Sequence, residues 1–267
     1  MFEFLGISPQ ALFGQLLLGL INGSFYALLS LGLAVIFGML NIINFAHGAF
    51  YMVGAFCAWF LLQYLGLGHW SALIITPVIV GLFGMLLERT LLKQIQNIDH
   101  LYGLLLTFGL ALILQGLFRN YFGSSGLPYP IPEQLQGGHN LGFMFLPNYR
   151  AWVIIFSVIV CLLTWYAIER TKLGAYLRAA TENPTMVRAF GINVDRVYAG
   201  TFGLGAALAA IAAVLVVPIS QAHYLMGGDP LLMSFIVVII GGLGSLRGTL
   251  VAALLIERLP RPGRRGR

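Results

Sequence analysis

Between Glu3 and Glu88 the chain carries no Asp, Glu, Lys or Arg, an uncharged run of 84 residues. A soluble domain does not sustain such a stretch, because roughly a quarter of its residues are charged and spread over its surface. A bilayer span takes about 20 consecutive apolar residues, so this run alone holds three spans and their connectors. Lipid permits only helices or a closed barrel, since every backbone polar group must be paired internally. The apolar stretches are continuous rather than alternating, which selects helices. The whole chain agrees: 59% of its 267 residues are hydrophobic and 9% are charged, with a mean hydropathy of +0.88.

The apolar runs predict spans at about 12–38, 43–63, 70–88, 101–118, 151–168, 198–217 and 231–246. An eighth run, 248–256, is too short to cross alone. The expected fold is an all-α polytopic bundle of seven to eight spans. Segment 169–196 holds Arg170, Lys172, Arg178, Arg188 and Arg196, which places it in the cytoplasm. Counting spans backward puts Arg89 and Lys93 on the same side. Segment 119–150, rich in Gly, Pro and Tyr, then falls outside. So does the N-terminus, whose only charged residue is Glu3. The N-terminus lacks the basic flank of a signal peptide, so the first apolar run is expected to be retained as a span.

The net charge of +6 is concentrated in Arg258, Arg261, Arg264, Arg265 and Arg267. Without them, ten basic residues face nine acidic ones, which leaves the body no basic face for nucleic acid. Cys57 and Cys161 each sit inside an apolar run, where a thiol acts as a small packing group. Neither a disulfide nor a metal site is expected.

All nine carboxylates fall near predicted span ends or in loops. Proton-coupled carriers keep an ionisable group at membrane depth, so its absence argues against proton coupling. Sodium coupling is less affected, because carbonyls and hydroxyls can serve it. Lys93 and Lys172 are the only lysines, and neither lies in a phosphate-binding Gly-x-x-x-x-Gly-Lys-Ser/Thr loop. Any ATP hydrolysis must then come from another subunit. No hydrolase or metalloprotease motif is present, so the chain is expected to be neither an enzyme nor a cofactor binder.

Three polar groups lie inside apolar runs. Asn22-Gly23-Ser24 sits mid-span, where a broken helix would present backbone groups to a solute; small-residue helix packing is the other reading. Asn41, Asn44 and His47, spaced by three, either hydrogen-bond the turn between the first two spans or contact a solute. Gly241-Gly242-Leu243-Gly244-Ser245 serves close packing or a gating hinge. Tyr64, Trp70, Tyr102, Tyr149 and Trp152 lie near span ends and suit an interfacial belt.

Segment 169–196 is expected to be structured. Residues 174–181 predict a short helix. Asn183-Pro184 is an N-cap followed by a first-turn proline. A second helix follows, with Met186, Val187 and Phe190 forming an apolar face beside Arg188, and stops at Gly191. On pattern alone this face meets either a soluble partner or the membrane surface and its own bundle.

Gly19-Leu20-Ile21-Asn22-Gly23-Ser24-Phe25-Tyr26-Ala27-Leu28, followed by Gly38-Met39-Leu40-Asn41-Ile42-Ile43-Asn44-Phe45-Ala46-His47-Gly48, closely resembles the permease subunits of branched-chain amino-acid ABC importers, the LivH type. So do Gly174-Ala175-Tyr176-Leu177-Arg178-Ala179-Ala180-Thr181-Glu182-Asn183-Pro184 and Ile240-Gly241-Gly242-Leu243-Gly244-Ser245-Leu246-Arg247-Gly248. The likeness covers about residues 10–256. It implies a multi-pass protein of the bacterial inner membrane that works with a second permease subunit, two cytoplasmic ATPase subunits and a periplasmic solute-binding protein. It also implies that the segment matching 174–191 docks on the ATPase, with Arg178, Glu182, Asn183, Pro184 and Gly191 as the coupling residues. Asn22, Gly23, Ser24, Asn44 and His47 are the candidates for the solute path.

Related permeases for urea, short amides and sugars share this architecture, so the cargo stays open. Family members continue with apolar sequence past the position of Ile256, whereas here an Arg/Pro/Gly-rich segment follows. Residues 1–256 are therefore expected to form the permease domain and 257–267 a disordered basic tail. A truncation or frameshift yielding an inactive fragment, and a genuine lipid-binding tail, are both open. A nucleotide-independent channel or sodium-coupled carrier is the rival from another class.

Overall fold

The computed structural model describes residues 9–40, 43–95, 100–140, 142 and 145–256. Met1–Gly6, Asn41 and the tail 257–267, all weighed above, lie outside the described residues. Five long helices come first: α1 (Pro9–Leu40), α2 (Ala46–Leu65), α3 (His69–Leu87), α4 (His100–Phe122) and α5 (Asn148–Arg170). A π-helical turn, Glu88–Leu92, and a last α-helical turn, Lys93–Ile95, extend α3. Two short helices, α6 (Lys172–Glu182) and α7 (Pro184–Ala189), lead into α8 (Val194–Ser220). The chain closes with α9 (Gly228–Gly241) and α10 (Leu246–Ile256). A two-stranded antiparallel hairpin, β1 (Gly138–Asn140) with β2 (Phe145–Pro147), decorates the α4–α5 connection. The fold is an all-α membrane bundle: six helices are long and apolar enough to cross, or up to seven spans if the α9–α10 pair counts as one.

The bundle is built around α8, which packs against α1, α2 and α3. Its sequence from Ala199 to Ala213 is dominated by Ala and Gly. In lipid no hydrophobic force drives helices together, so close backbone approach between small residues supplies the contact. A Cβ on Gly205 would meet the Gly32 carbonyl of α1 at 2.8 Å, and one on Gly54 of α2 would meet the Ala210 Cα at 2.8 Å. Gly84 of α3 faces Ala206 in the same way. Side chains of α8 that meet neighbours, including Phe202, Leu208 and Leu215, are buried.

One end of the bundle carries Arg170, Lys172 and Lys93 (the basic end), and the other carries the 123–147 connection (the loop end). At the loop end, Leu127 and Ala222 pair through two backbone hydrogen bonds of 2.8 and 2.9 Å. Tyr149, expected in the interfacial belt, is instead buried at 1% exposure, and its hydroxyl donates to the Leu215 carbonyl at 2.8 Å. A phenol packed against the His69 and Trp152 rings, with a backbone carbonyl in reach of its hydroxyl, turns inward rather than toward headgroups.

One further expectation is corrected, and one open choice is decided. The span expected at 231–246 is not one helix: α9 stops at Gly241, and Gly242 and Gly244 take φ of +94° and +84°. Glycine alone enters this region at no steric cost, so the chain turns and α10 leaves at 118° to α9, the geometry of a broken span or a re-entrant loop. The reverse holds at Asn22-Gly23-Ser24, where a break was one reading. There α1 runs unbroken from Pro9 to Leu40. Ser24 Oγ donates back to the Leu20 carbonyl at 2.7 Å, and the bare face of Gly23 admits the backbone of α10 at Ala253.

Candidate functional site

The start of α2 is the first unusual place. His47 Nε2 donates to the Leu29 carbonyl at 2.9 Å. Leu29 lies eleven residues before the end of α1, about 16 Å along the axis. The second helix therefore begins well inside the bundle. There its unsatisfied N–H groups have no water to bind. The Ala46 N–H donates to Asn44 Oδ1 at 3.0 Å, and the Phe45 N–H donates to Thr107 Oγ1 of α4 at 3.2 Å. Asn44 and His47 are both fully buried. They hold this submerged turn. Thr107 shares the task, but nothing in its apolar sequence neighbourhood marked it.

A cavity of about 250 Å³ opens beside this turn, toward the loop end. Asn22, Tyr26 and Tyr51 supply its polar wall, and Phe25, Val216 and Pro230 part of its apolar one. Drug-sized ligands take about 300 Å³ or more, so this cavity suits a smaller solute. Of the five residues expected along a solute path, Asn22 lines the cavity. Gly23, Ser24, Asn44 and His47 do not; they pack or bond within the surrounding helices. Tyr26 and Tyr51 were not foreseen, since tyrosines in an aromatic-rich membrane chain carry no signal of their own. The first turn of α9, with Asp229 and Pro230, ends at this cavity. The partial positive charge of this helix N-terminus is already met by the Asp229 carboxylate in its first turn. Among the described residues, no group of three or more His, Cys, Asp or Glu gathers to hold a metal ion.

At the basic end, α6 and α7 form a compact hairpin. Gly174, Leu177 and Ala180 make the buried stripe of α6. Gly174 lies so close to the Ile168 carbonyl that no Cβ fits. Asn183 caps α7, its Oδ1 accepting from the Met186 N–H at 3.0 Å, with Pro184 at the first helical position. Gly191, at φ +80°, ends the unit and donates to the Arg188 carbonyl at 3.0 Å. Tyr198 of α8 donates to the Ala180 carbonyl at 2.8 Å. Asp195 pairs with Lys93 at 2.6 Å and with Arg188 at 2.9 Å, tying α7 to the end of α3.

The expected apolar face of α7 is divided. Val187 turns inward with Ala180 and Val194, while Met186 and Phe190 are 57% and 78% exposed. Residues spaced i, i+1 cannot share one face of so short a helix. The inner side of the hairpin faces the bundle across a cleft of about 220 Å³, lined by Arg178 and Glu182 on one side and by Gly38 at the end of α1 and Gly244 in the α9–α10 elbow on the other. Arg178 also donates to the Ile168 carbonyl at 3.2 Å.

Comparison with known proteins gives the same direction. The sequence model of the family described as "Branched-chain amino acid transport system / permease component" matches residues 15–260. The LivH permease protein of the high-affinity branched-chain amino acid transport system of Escherichia coli (strain K12) is 30% identical over 259 residues, covering 91% of this chain and 82% of the relative. The BraD permease protein of Pseudomonas aeruginosa is 28% identical, covering 91% and 83%. The LivM permease protein of the same E. coli strain is 25% identical, covering 86% and 59%. No solved structure is significantly similar to the chain. A multi-pass helical bundle with a small polar cavity and a capped helical hairpin at its basic end, matched by the family model over nearly its whole length, belongs to the permease components of branched-chain amino acid transport systems.

Proposed function

We infer that the chain forms half of a pathway for branched-chain amino acids across the bacterial inner membrane, with a second, similar permease chain as the other half. Two cytoplasmic ATPase subunits drive it, and a periplasmic binding protein delivers the cargo. The basic end faces the cytoplasm and the N-terminus the periplasm, in keeping with the charge of segment 169–196. The relatives' printed names supply the cargo class, and the similarity to both LivH and LivM fits a pair of homologous permeases.

The observation that carries the mechanism is the cleft that the α6–α7 hairpin shares with Gly244 of the α9–α10 elbow, because the far end of α9 borders the cavity. ATP binding closes the ATPases. The hairpin, through Arg178, Glu182, Asn183, Pro184 and Gly191, carries that motion into the membrane. Gly244 yields, α9 tilts, and its N-terminus opens or closes the cavity at Pro230. A zwitterion is held there without a charged pair in the spans: the hydrogen-bonding groups of Asn22, Tyr26 and Tyr51 take its charged termini. The apolar wall takes the branched side chain.

The test is uptake of labelled leucine into proteoliposomes holding the assembled transporter and its binding protein. Uptake should require ATP and the binding protein. Concentrative uptake by this chain alone without nucleotide would overturn the reading. Urea transport in place of leucine would change the cargo while leaving the machinery.

A further inference from the structure

A second, larger hollow lies at the opposite end of α8 from the cavity. It is an open groove of about 750 Å³ between α3 and α8, roofed at the basic end by α6. Its walls are apolar: Pro77, Leu82 and Met85 from α3 face Gly200, Leu204 and Ala207 from α8. The Thr201 hydroxyl in the groove is already committed to the Val197 carbonyl at 2.8 Å.

The remaining polar groups gather at one rim, where Arg196 and Tyr176 line the mouth and Lys172 adjoins Leu173. Asp195, next to Arg196, is paired with Lys93 and Arg188 rather than with it. Among the described residues, no ion pair engages the Arg196 guanidinium.

From Arg196 to Ala207 the groove follows eleven residues of α8, about 16 Å. This is close to half of a hydrocarbon core of about 30 Å. A partner helix crossing the bilayer would need a seat along the full thickness, and this groove ends midway. A charged rim at headgroup depth above an apolar channel one leaflet long is complementary to a single lipid.

We propose that this groove binds an acyl chain of an anionic phospholipid from the leaflet at the basic end, with the lipid phosphate on Arg196 and Tyr176 at the headgroup level. The lipid fills the side of the α3–α8 pair beneath α6, so its occupancy props the coupling hairpin from below.

Native mass spectrometry of the full purified chain in detergent tests this, with phosphatidylglycerol and phosphatidylcholine of identical acyl chains as probes. The wild type should retain phosphatidylglycerol about fivefold more strongly, the effect of one basic residue on an anionic headgroup. Arg196→Gln should erase that preference while leaving weak binding of both lipids. Gly200→Leu should reduce both, since a side chain added there enters the groove and its Cβ meets no atom within 4 Å. Equal retention of the two lipids by the wild type overturns the proposal. So does unchanged retention in both variants. Loss of the second permease chain from the assembled transporter in Gly200→Leu, with lipid retention intact, also overturns it and assigns the groove to a protein interface.

Discussion

His47 and Leu29 are joined across the α1–α2 turn by a 2.9 Å hydrogen bond. A carbonyl only accepts, so the proton of this imidazole sits on Nε2. The bond anchors a helix start that is buried about 16 Å from the end of α1. His47→Leu removes a buried partner and should cost about 1–3 kcal/mol. Thermal unfolding in detergent should report the loss, while leucine uptake per folded transporter stays unchanged. Normal stability with failed uptake would move His47 from the scaffold into the solute path.

Asn183 satisfies the first turn of α7 through the Met186 N–H. Asn183→Ala should cost about 1 kcal/mol locally, and Asn183→Asp should retain the cap. The effect should appear as fewer leucine molecules imported per ATP hydrolysed in the alanine variant, with normal assembly. Equal ratios in both variants would separate the cap from coupling. Replacing Glu182 and Gly191 together should go further and leave ATP hydrolysis with no uptake.

Asp195 holds two cations, yet its partners are half exposed. Exposed pairs contribute about 0.2–1 kcal/mol and weaken with salt. Asp195→Asn should therefore shift the unfolding temperature little, and the shift should vanish at high ionic strength. A large, salt-independent loss would show that the triad is part of the folded core.

Gly244 combines φ +84° with a backbone contact to Gly38, whose own added Cβ would lie 2.6 Å from the Gly244 Cα. Gly244→Val meets a left-handed penalty of about 1–2 kcal/mol and crowding of about 1–3 kcal/mol. Expression and uptake should both collapse. Gly109→Ala in α4 is the contrast: nothing lies within 4 Å of the new methyl, and removing a helical glycine should raise stability by about 0.5–1 kcal/mol. Thermal unfolding of the pair, measured side by side, distinguishes the two kinds of glycine.

Hydropathy located α1 to α5 and α8 because a membrane span needs length and apolarity, and both are visible in a row of residues. The hairpin of α6 and α7 was legible for another reason: Asn183-Pro184 and Gly191 are local stop and start signals that need no distant partner. What escaped depends on distance in space. Residues 231–246 carry no charge, so hydropathy runs them together as one span, although the glycine run 241–245 noted in the sequence is where α9 ends. Tyr26 and Tyr51 become a cavity wall only when α1, α2 and α9 meet. Tyr149 sits at a span end like a belt residue, but the carbonyl of Leu215, 66 positions away, draws it inside. The small residues of α8 mark it as the centre of the bundle only once three neighbours are seen to approach it.

The Gly–Ala surface of α8 has a mechanical corollary. Backbones in direct contact leave little slack for sideways motion, whereas a smooth cylinder offers few side chains to catch on when it slides. This 27-residue rod, about 40 Å long, starts directly after the hairpin at the basic end and ends at the segment that feeds α9. A push along the axis at Asn193 is therefore passed toward Gln221 more readily than a sideways one, as through a piston in its sleeve.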